Sequence, residues 1–115
     1  MNRKIGIIGL GTVGEATLGL LKKHIRLIQK RTSLKIILSK VCDKRISKKK
    51  IASKLKVPFT THVDEIINDP EIDTIVELIG GIEPAKSFIL RALKKGKNVV
   101  TANKALLAEY GSQIL

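Results

Sequence analysis

Cysteine and aromatic residues are scarce in this sequence of 115 residues. Cys42 is the single cysteine, which excludes an intrachain disulfide and fits the reducing cytoplasm, where we expect the protein to be found. Tryptophan is absent, and the aromatic side chains are Phe59, Phe88 and Tyr110. Proteins that bind nucleic acid commonly stack bases on aromatic side chains or present clusters of arginine. This scarcity therefore argues against a nucleic-acid partner.

Long apolar runs are missing as well. No run approaches the roughly 20 residues that a helix needs to cross a bilayer. The short apolar run after Lys4 is rich in glycine, ends at Thr12 and lacks the cleavage site of a signal peptide. We therefore expect no association with a membrane. Because 43% of the residues are nevertheless apolar, we expect one folded domain rather than a disordered chain.

Acidic residues are few, and the formal net charge is +12. The excess is concentrated in residues 22–56, where Lys and Arg are frequent and Asp43 is the single acid. Such a stretch would contact phosphate, nucleic acid or an acidic partner, or would form a solvated surface. We favour the solvated surface, since arginine clusters and exposed aromatics are missing.

The sequence itself is an alternation of strand and helix patterns. Apolar, β-rich runs predict strands at residues 4–8, 34–41, 74–78 and 98–101. Helical spacing predicts helices at residues 13–31, 46–55, 62–68, 84–95 and 104–109. Alternating strands and helices imply right-handed crossovers and a parallel sheet whose strands are apolar on both faces. The sequence therefore predicts an α/β domain.

Local signals mark the helix ends. Thr61 is predicted to cap the third helix, with Asp64 three residues later as in a capping box. Pro84 suits the first turn of the fourth helix, and Gly96 suits its C-terminal cap. Asn103 is predicted to cap the last helix.

The residues that follow the first predicted strand read Gly9-Leu10-Gly11-Thr12-Val13-Gly14, a G-x-G-x-x-G motif. A strand directly before such a motif and a helix directly after it are typical of a pyrophosphate-binding loop. Gly9 would permit the tight turn, Gly11 would let the backbone approach the pyrophosphate, and Gly14 would let the helix pack closely. The N–H groups near Thr12 and Val13 would hold the phosphate at the helix N-terminus. We predict that these six residues bind a dinucleotide in a Rossmann-type, doubly wound sheet; a structural glycine turn is the alternative.

Asp43 follows the second predicted strand, where dinucleotide folds place a residue that contacts the adenosine ribose. Its carboxylate would accept hydrogen bonds from both ribose hydroxyls, which favours NAD. Lys44 and Arg45 follow at once and would contact a 2′-phosphate, which favours NADP. Both cofactors therefore stay open, and the alternative for Asp43 is an ordinary turn residue.

The other end of the predicted site follows the third and fourth predicted strands. Gly80 and Gly81 would leave room for the nicotinamide ribose, and Glu77 would either anchor loops or form a surface ion pair. Lys104 stands at the start of the last helix, where a cation opposes the helix dipole. Beside a nicotinamide and a hydroxy-acid substrate it would shuttle a proton or stabilise an alkoxide. A solvent-exposed lysine is the alternative.

Five segments carry a resemblance to a known family. They are I-I-G-L-G-T-V-G at 7–14, D-T-I-V-E-L-I-G-G at 73–81, E-P-A at 83–85, A-L-K-K-G-K at 92–97 and V-V-T-A-N-K-A-L-L-A at 99–108. In this order they resemble the cofactor domain of homoserine dehydrogenase, and T-A-N-K-A is the most specific part. The resemblance implies hydride transfer between L-homoserine and L-aspartate 4-semialdehyde with NADP or NAD, in threonine and methionine biosynthesis. It also implies that residues 9–14 bind the cofactor and that Lys104 is catalytic, beside the nicotinamide and substrate.

The sequence departs from this family in two ways. Many relatives carry Arg before the Asp that ends the second strand, where this chain has Cys42, so the cofactor preference stays open. The family also continues into a substrate domain with a second catalytic lysine and homoserine-binding carboxylates, whereas this chain ends at Leu115. We therefore expect residues 1–115 to be the dinucleotide-binding domain alone, inactive without the substrate domain. For the complete enzyme we expect a homodimer, and no metal site.

Two other functions stay open. Sugar dehydrogenases of the glucose–fructose type share the glycine loop, but they place Glu-Lys-Pro after the fourth strand, where this chain has Asn103-Lys104-Ala105. That difference argues against them. A non-catalytic module that senses nucleotides or binds nucleic acid would use the basic residues 44–56, and its affinity would depend steeply on salt.

Overall fold

The computed structural model describes residues 2–101, 103 and 108. The strands are β1 Asn2–Ile8, β2 Lys35–Cys42, β3 Phe59–Thr60, β4 Thr74–Glu77 and β5 Asn98–Thr101. The helices are α1 Thr12–Thr32, α2 Lys49–Lys54, α3 Asp64–Ile67 and α4 Ala85–Lys94, with a 3-10 turn at Ile46–Lys48 before α2. The predicted helix 104–109 and its cap by Asn103 lie outside the described residues.

The five strands form one parallel sheet in the order β3-β2-β1-β4-β5. The chain builds outwards from β1 to β3, then crosses back and builds outwards again through β4 and β5. This reversal places helices on both faces and a topological switch point between β1 and β4. The predicted doubly wound, Rossmann-type sheet is confirmed.

The side chains of β1 alternate between two apolar clusters, one on each face of the sheet. On one face, Ile7 packs with Leu18 of α1 and Val41 of β2. On the other face, Ile8 packs with Ile66 of α3 and Ala92 of α4. Because both faces of β1 are buried, its carboxyl end and the glycine loop that follows are held firmly at the centre of the fold.

Strand β3 is not predicted from the sequence, because two residues cannot show a period. Phe59 and Thr60 pair with Val41 and Cys42 of β2, so tertiary contact alone defines this strand. As a result, the third and fourth predicted strands are β4 and β5 of the structure.

The predicted cap of the third helix is wrong. Helix α3 begins at Asp64, two residues later than predicted, and no side chain caps it. Thr60, rather than Thr61, supports the segment before the helix, because its hydroxyl accepts the N–H of His62 and donates to the carboxylate of Glu65. The end of α4 agrees with its prediction: the helix stops at Lys94 and Gly96 adopts a φ of 78°.

The expectation that every strand is buried on both faces fails at β5. Val100 is 56% exposed, although Val99 packs against the core. Strand β5 is the edge of the sheet within the described part of the chain, and the face that carries Val100 is left uncovered there. None of the helices in this part of the chain is both long and apolar enough to cross a membrane.

Candidate functional site

A cleft of about 240 Å³ opens at the carboxyl edge of the sheet, beside the switch point. Its walls come from the glycine loop, from residues 42–45 after β2, and from the segments that enter α3 and α4. These segments are distant in sequence, and the parallel arrangement of the strands brings them to one edge. Ligands of doubly wound sheets bind at such an edge.

At two of the three loop glycines, the surrounding backbone leaves no room for a side chain. Gly9 has a φ of 108°, and a Cβ atom there would lie 2.9 Å from the backbone of Leu78. A Cβ atom at Gly14 would lie 2.0 Å from the carbonyl oxygen of Gly9. A side chain at Gly9 would therefore force the loop away from the residues that follow β4, and one at Gly14 would force the first turn of α1 away from the end of β1.

Gly11 is different, because nothing in the chain requires a glycine there. Its φ of −78° suits any residue, and the nearest atom to a Cβ would be Nη2 of Arg45, 3.8 Å away. The position faces the cleft. A structural turn explains Gly9 and Gly14 but not Gly11, whereas a bound pyrophosphate lying against the backbone would explain it.

The remaining residues of the motif lie at the start of α1. Thr12 and Val13 are exposed in the first helical turn, and no side chain caps the helix. The positive end of the helix dipole is therefore not screened by a capping side chain. Leu10 is placed away from the cleft, because its side chain is fully buried and its N–H donates to Asp43 at 2.9 Å.

Asp43 is 7% exposed and accepts four hydrogen bonds. Oδ2 accepts the N–H of Leu10 and Nη2 of Arg45, and Oδ1 accepts the N–H and Nε of Arg45, all at 2.9 Å. The Arg45 side chain holds the pKa of this carboxyl well below its usual range, and the backbone N–H groups of Arg45 and Leu10 add to the effect. Asp43 therefore joins the end of β2 to the glycine loop, a role that a ribose reader alone would not require.

Arg45 is the site residue whose role the sequence underestimates. Its guanidinium pairs with Asp43, half of its side chain is exposed, and Nη2 lies nearest to the open position at Gly11. Lys44 lines the same cleft. An Asp followed two residues later by Arg is the only sequence signal for this pair, and such a spacing is common in turns.

Cys42 lines the cleft with an uncharged thiol. Burial raises the pKa of its thiol to about 11, and the negative charges of Asp43 and Glu65 act in the same direction. Val63, which precedes α3, and Phe88 of α4 add apolar surface. No motif marks these residues, because packing between distant elements brings them to the cleft.

The far end of the predicted site lies after β4. Gly80 and Gly81 have φ values of 82° and 74°, and a Cβ atom on either would meet nothing within 4 Å. Glu77 is 1% exposed, so a surface ion pair, one of the two predicted alternatives, is wrong. Lys104 lies outside the described residues. In the part of the chain that is described, no three His, Cys, Asp or Glu side chains are grouped to hold a metal ion.

The family described as homoserine dehydrogenase, NAD binding domain, matches residues 9–115. Curated homoserine dehydrogenases from Bacillus subtilis and Lactococcus lactis are 38% and 40% identical to this chain. These alignments cover 97% and 99% of this chain but 26% and 27% of those proteins, so the chain spans about a quarter of the length of these relatives.

Solved structures give the same result. The homoserine dehydrogenase from Thiobacillus denitrificans is 40% identical with a TM-score of 0.88, over 99% of this chain and 26% of its own. The S. aureus enzyme is 35% identical with a TM-score of 0.89, over 99% of this chain and 29% of its own. A levoglucosan dehydrogenase with 17% identity and a TM-score of 0.75, over 88% of this chain and 27% of its own, shares the fold. On the match to residues 9–115 and these relatives, the chain belongs to the family of homoserine dehydrogenase NAD-binding domains.

Proposed function

We propose that residues 1–115 are the dinucleotide-binding domain of an enzyme that interconverts L-homoserine and L-aspartate 4-semialdehyde. The family match supports the activity, and the open position at Gly11 is the structural observation that carries the binding site. When bound, the nicotinamide exchanges a hydride with the carbon that bears the homoserine hydroxyl. The chain's own residues bind and orient this cofactor.

The proposed site divides at the glycine loop. The pyrophosphate lies against Gly11 and the first turn of α1, where backbone N–H groups and the helix dipole favour an anion. The adenosine occupies the cleft beside Asp43 and Lys44, and the nicotinamide riboside lies towards Gly80. From the family resemblance we propose that Lys104 lies beside the nicotinamide and the substrate, where a lysine transfers a proton or stabilises developing charge.

Both NAD and NADP fit the adenosine end. Ribose hydroxyls can bind Asp43 only by displacing Arg45, since both carboxylate oxygens already accept two N–H groups each. A 2′-phosphate can bind the exposed part of Arg45 and the neighbouring Lys44 without breaking the ion pair. NAD binding therefore costs the Asp43–Arg45 ion pair, whereas the 2′-phosphate of NADP is repelled by the nearby Asp43 carboxylate; these two costs oppose each other, which supports a relaxed preference.

Three parts of the proposal come from composition and resemblance alone. A homodimer for the complete enzyme, a cytoplasmic location and the absence of a nucleic-acid partner stay predictions. Size-exclusion chromatography with light scattering on the complete enzyme measures the first of these directly.

Gly11→Val tests the cofactor site. The φ of Gly11 allows valine and its Cβ would meet nothing closer than 3.8 Å, so the fold should persist while the pyrophosphate path is blocked. Calorimetric titration with NAD and NADP should show a loss of at least about tenfold, or 1.4 kcal/mol. The matched control is Gly19→Val, also in an open position but in the middle of α1. Equal affinity in the wild type and Gly11→Val would refute the site.

A further inference from the structure

Glu77 is a buried carboxylate whose partners are polar groups of one turn and of the end of one strand. It ends β4 with 1% of its surface exposed, and it takes part in none of the ion pairs found among the described residues. A buried carboxyl group destabilises the fold unless hydrogen bonds satisfy its oxygens. The groups that satisfy Glu77 therefore indicate what the side chain holds in place.

One oxygen of Glu77 holds the turn that follows β4. Oε2 accepts the N–H of Ile79 at 2.7 Å and the N–H of Gly80 at 3.3 Å. The other oxygen holds the end of the neighbouring strand, because Oε1 accepts the hydroxyl of Thr101 at 2.6 Å. A single side chain thus ties the glycine turn after β4 to the carboxyl end of β5.

Asn103 closes this connection into a ring. Its N–H donates to the hydroxyl oxygen of Thr101 at 3.1 Å, and its side-chain amide donates to the carbonyl oxygen of Gly81. The hydroxyl of Thr101 is therefore both donor and acceptor, and the ring runs from Glu77 through Thr101 and Asn103 to Gly81. Fully satisfied polar networks of this kind favour one geometry over its alternatives.

The turn that the ring holds is open on its outer side. Cβ atoms at Gly80 and Gly81 would meet nothing within 4 Å, as at Gly11. The turn lies on the β4 side of the switch point and Asp43 lies on the β2 side, and Ile79, which adjoins the turn, lines the same cleft as Asp43. In a doubly wound sheet a dinucleotide crosses this point, so its two halves lie on opposite sides.

We infer that Glu77 is a positioning residue for the nicotinamide half of the cofactor site. The inference rests on the proposed function. Glu77 does not contact the dinucleotide; it fixes the Gly80–Gly81 turn and, through Thr101 and Asn103, the segment that leads to residue 104. A glutamine changes this network, because with its oxygen on the N–H groups of the turn its amide nitrogen would donate to the Thr101 hydroxyl, which reverses that hydrogen bond and removes the charge from all three contacts.

The test compares two ligands on the 115-residue chain. NAD contains the nicotinamide riboside, whereas ADP shares the adenosine and pyrophosphate and lacks it. In Glu77→Gln, calorimetry should show a loss of NAD affinity of at least about tenfold with ADP affinity changed by less than about threefold. A purely structural role would change both affinities together, so the ratio separates positioning from folding.

Asp73→Asn is the matched control, because Asp73 adjoins the opposite end of β4. It accepts the N–H of Lys4 at 3.0 Å and the hydroxyl of Thr74 at 2.7 Å, far from the carboxyl edge. Its NAD-to-ADP affinity ratio should equal that of the wild type. If the ratio of NAD affinity to ADP affinity falls as far in Asp73→Asn as in Glu77→Gln, the inference is overturned.

Thr101 provides a second pair of variants if Glu77→Gln does not fold. Thr101→Val removes the hydroxyl that joins Glu77 to Asn103 and should lose NAD affinity selectively, whereas Thr101→Ser should restore it. Equal losses of NAD and ADP affinity in Thr101→Val, or no loss of either, would overturn the inference. A wild type that binds NAD and ADP with equal affinity would overturn it as well. A wild type that binds neither ligand would instead refute the proposed function.

Discussion

The guanidinium of Arg45 and the carboxylate of Asp43 meet at two points at the mouth of the cleft, with Nε–Oδ1 and Nη2–Oδ2 distances of 2.9 Å. This two-point geometry places the cation beside Gly11 and occupies the oxygens that would otherwise bind ribose. The pair therefore bears on both the choice of cofactor and the stability of the loop.

The wild type should bind NAD and NADP with affinities within about tenfold of each other, or roughly 1.4 kcal/mol. Asp43 favours the ribose hydroxyls and Arg45 with Lys44 favours the 2′-phosphate, so neither cofactor gains a full advantage. Competition titrations measure the ratio. A preference above about a hundredfold in either direction would contradict this prediction.

Arg45→Ala should shift this ratio towards NAD by at least about tenfold. The variant removes a cation for the 2′-phosphate and frees Asp43 for ribose hydroxyls. Arg91→Ala is the control, since Arg91 also pairs with an aspartate, Asp64, but lies outside the cleft. An unchanged ratio in Arg45→Ala would remove this residue from the adenosine site.

Asp43→Asn should lower the free energy of unfolding by about 1–3 kcal/mol at neutral pH, because a buried acceptor of the Leu10 N–H is weakened. The folded-state pKa of Asp43 lies below the unfolded value of about 3.9, so the ionised carboxylate stabilises the fold above that pH. This contribution is lost as the pH falls through the folded pKa. Denaturant unfolding of the wild type and of Asp43→Asn should therefore give a difference in the free energy of unfolding that becomes smaller below about pH 4.

Asp64→Asn is the control for that experiment, because its ion pair with Arg91 is exposed and such pairs contribute only about 0–1 kcal/mol. The difference in the free energy of unfolding between the wild type and Asp43→Asn could instead stay constant down to about pH 2. That result would show that the charge of Asp43 does not underlie the effect.

Cys42 should react slowly with iodoacetamide. The thiolate is the reactive form, and burial raises the pKa of this thiol to about 11. Mass spectrometry should show alkylation of the folded chain at least about a hundredfold slower than that of the chain in denaturant, where the pKa is near 8.5. Similar rates in the two states would mean that Cys42 is accessible.

Residues 1–115 alone should bind the dinucleotide without oxidising homoserine. The chain spans about a quarter of its relatives' length, and orienting the substrate against the nicotinamide contributes several kcal/mol, about 7–11 in well-aligned cases. Joining the remaining part of the Bacillus subtilis relative should restore activity, measured by nicotinamide absorbance. In that chimera, Lys104→Ala should lower kcat/KM by about two orders of magnitude. Activity of the 115-residue chain, or an unimpaired Lys104→Ala, would each contradict the assigned roles.

The amino-acid sequence alone determined the parts of this protein that depend on local pattern. The strand at residues 98–101 has the predicted bounds, and α1 differs from its prediction by one residue at each end. The loop from Gly9 to Gly14 is recognisable because its glycine spacing stands between a strand pattern and a helix pattern. Apolar periodicity and glycine spacing are set by neighbouring residues, so they can be read without knowing the fold.

Only the tertiary structure decided which distant groups meet. Strand β3 exists because β2 pairs with it, and Thr60 rather than Thr61 supports the start of α3 because of where β3 ends. The hydrogen-bond partners of Glu77 lie up to 24 residues away in the sequence, and those of Asp43 include Leu10 of the glycine loop, 33 residues before it. The identity of a carboxylate does not specify its hydrogen-bond donors; the ends of neighbouring strands bring those donors within reach, and the sheet order determines which strands are neighbours.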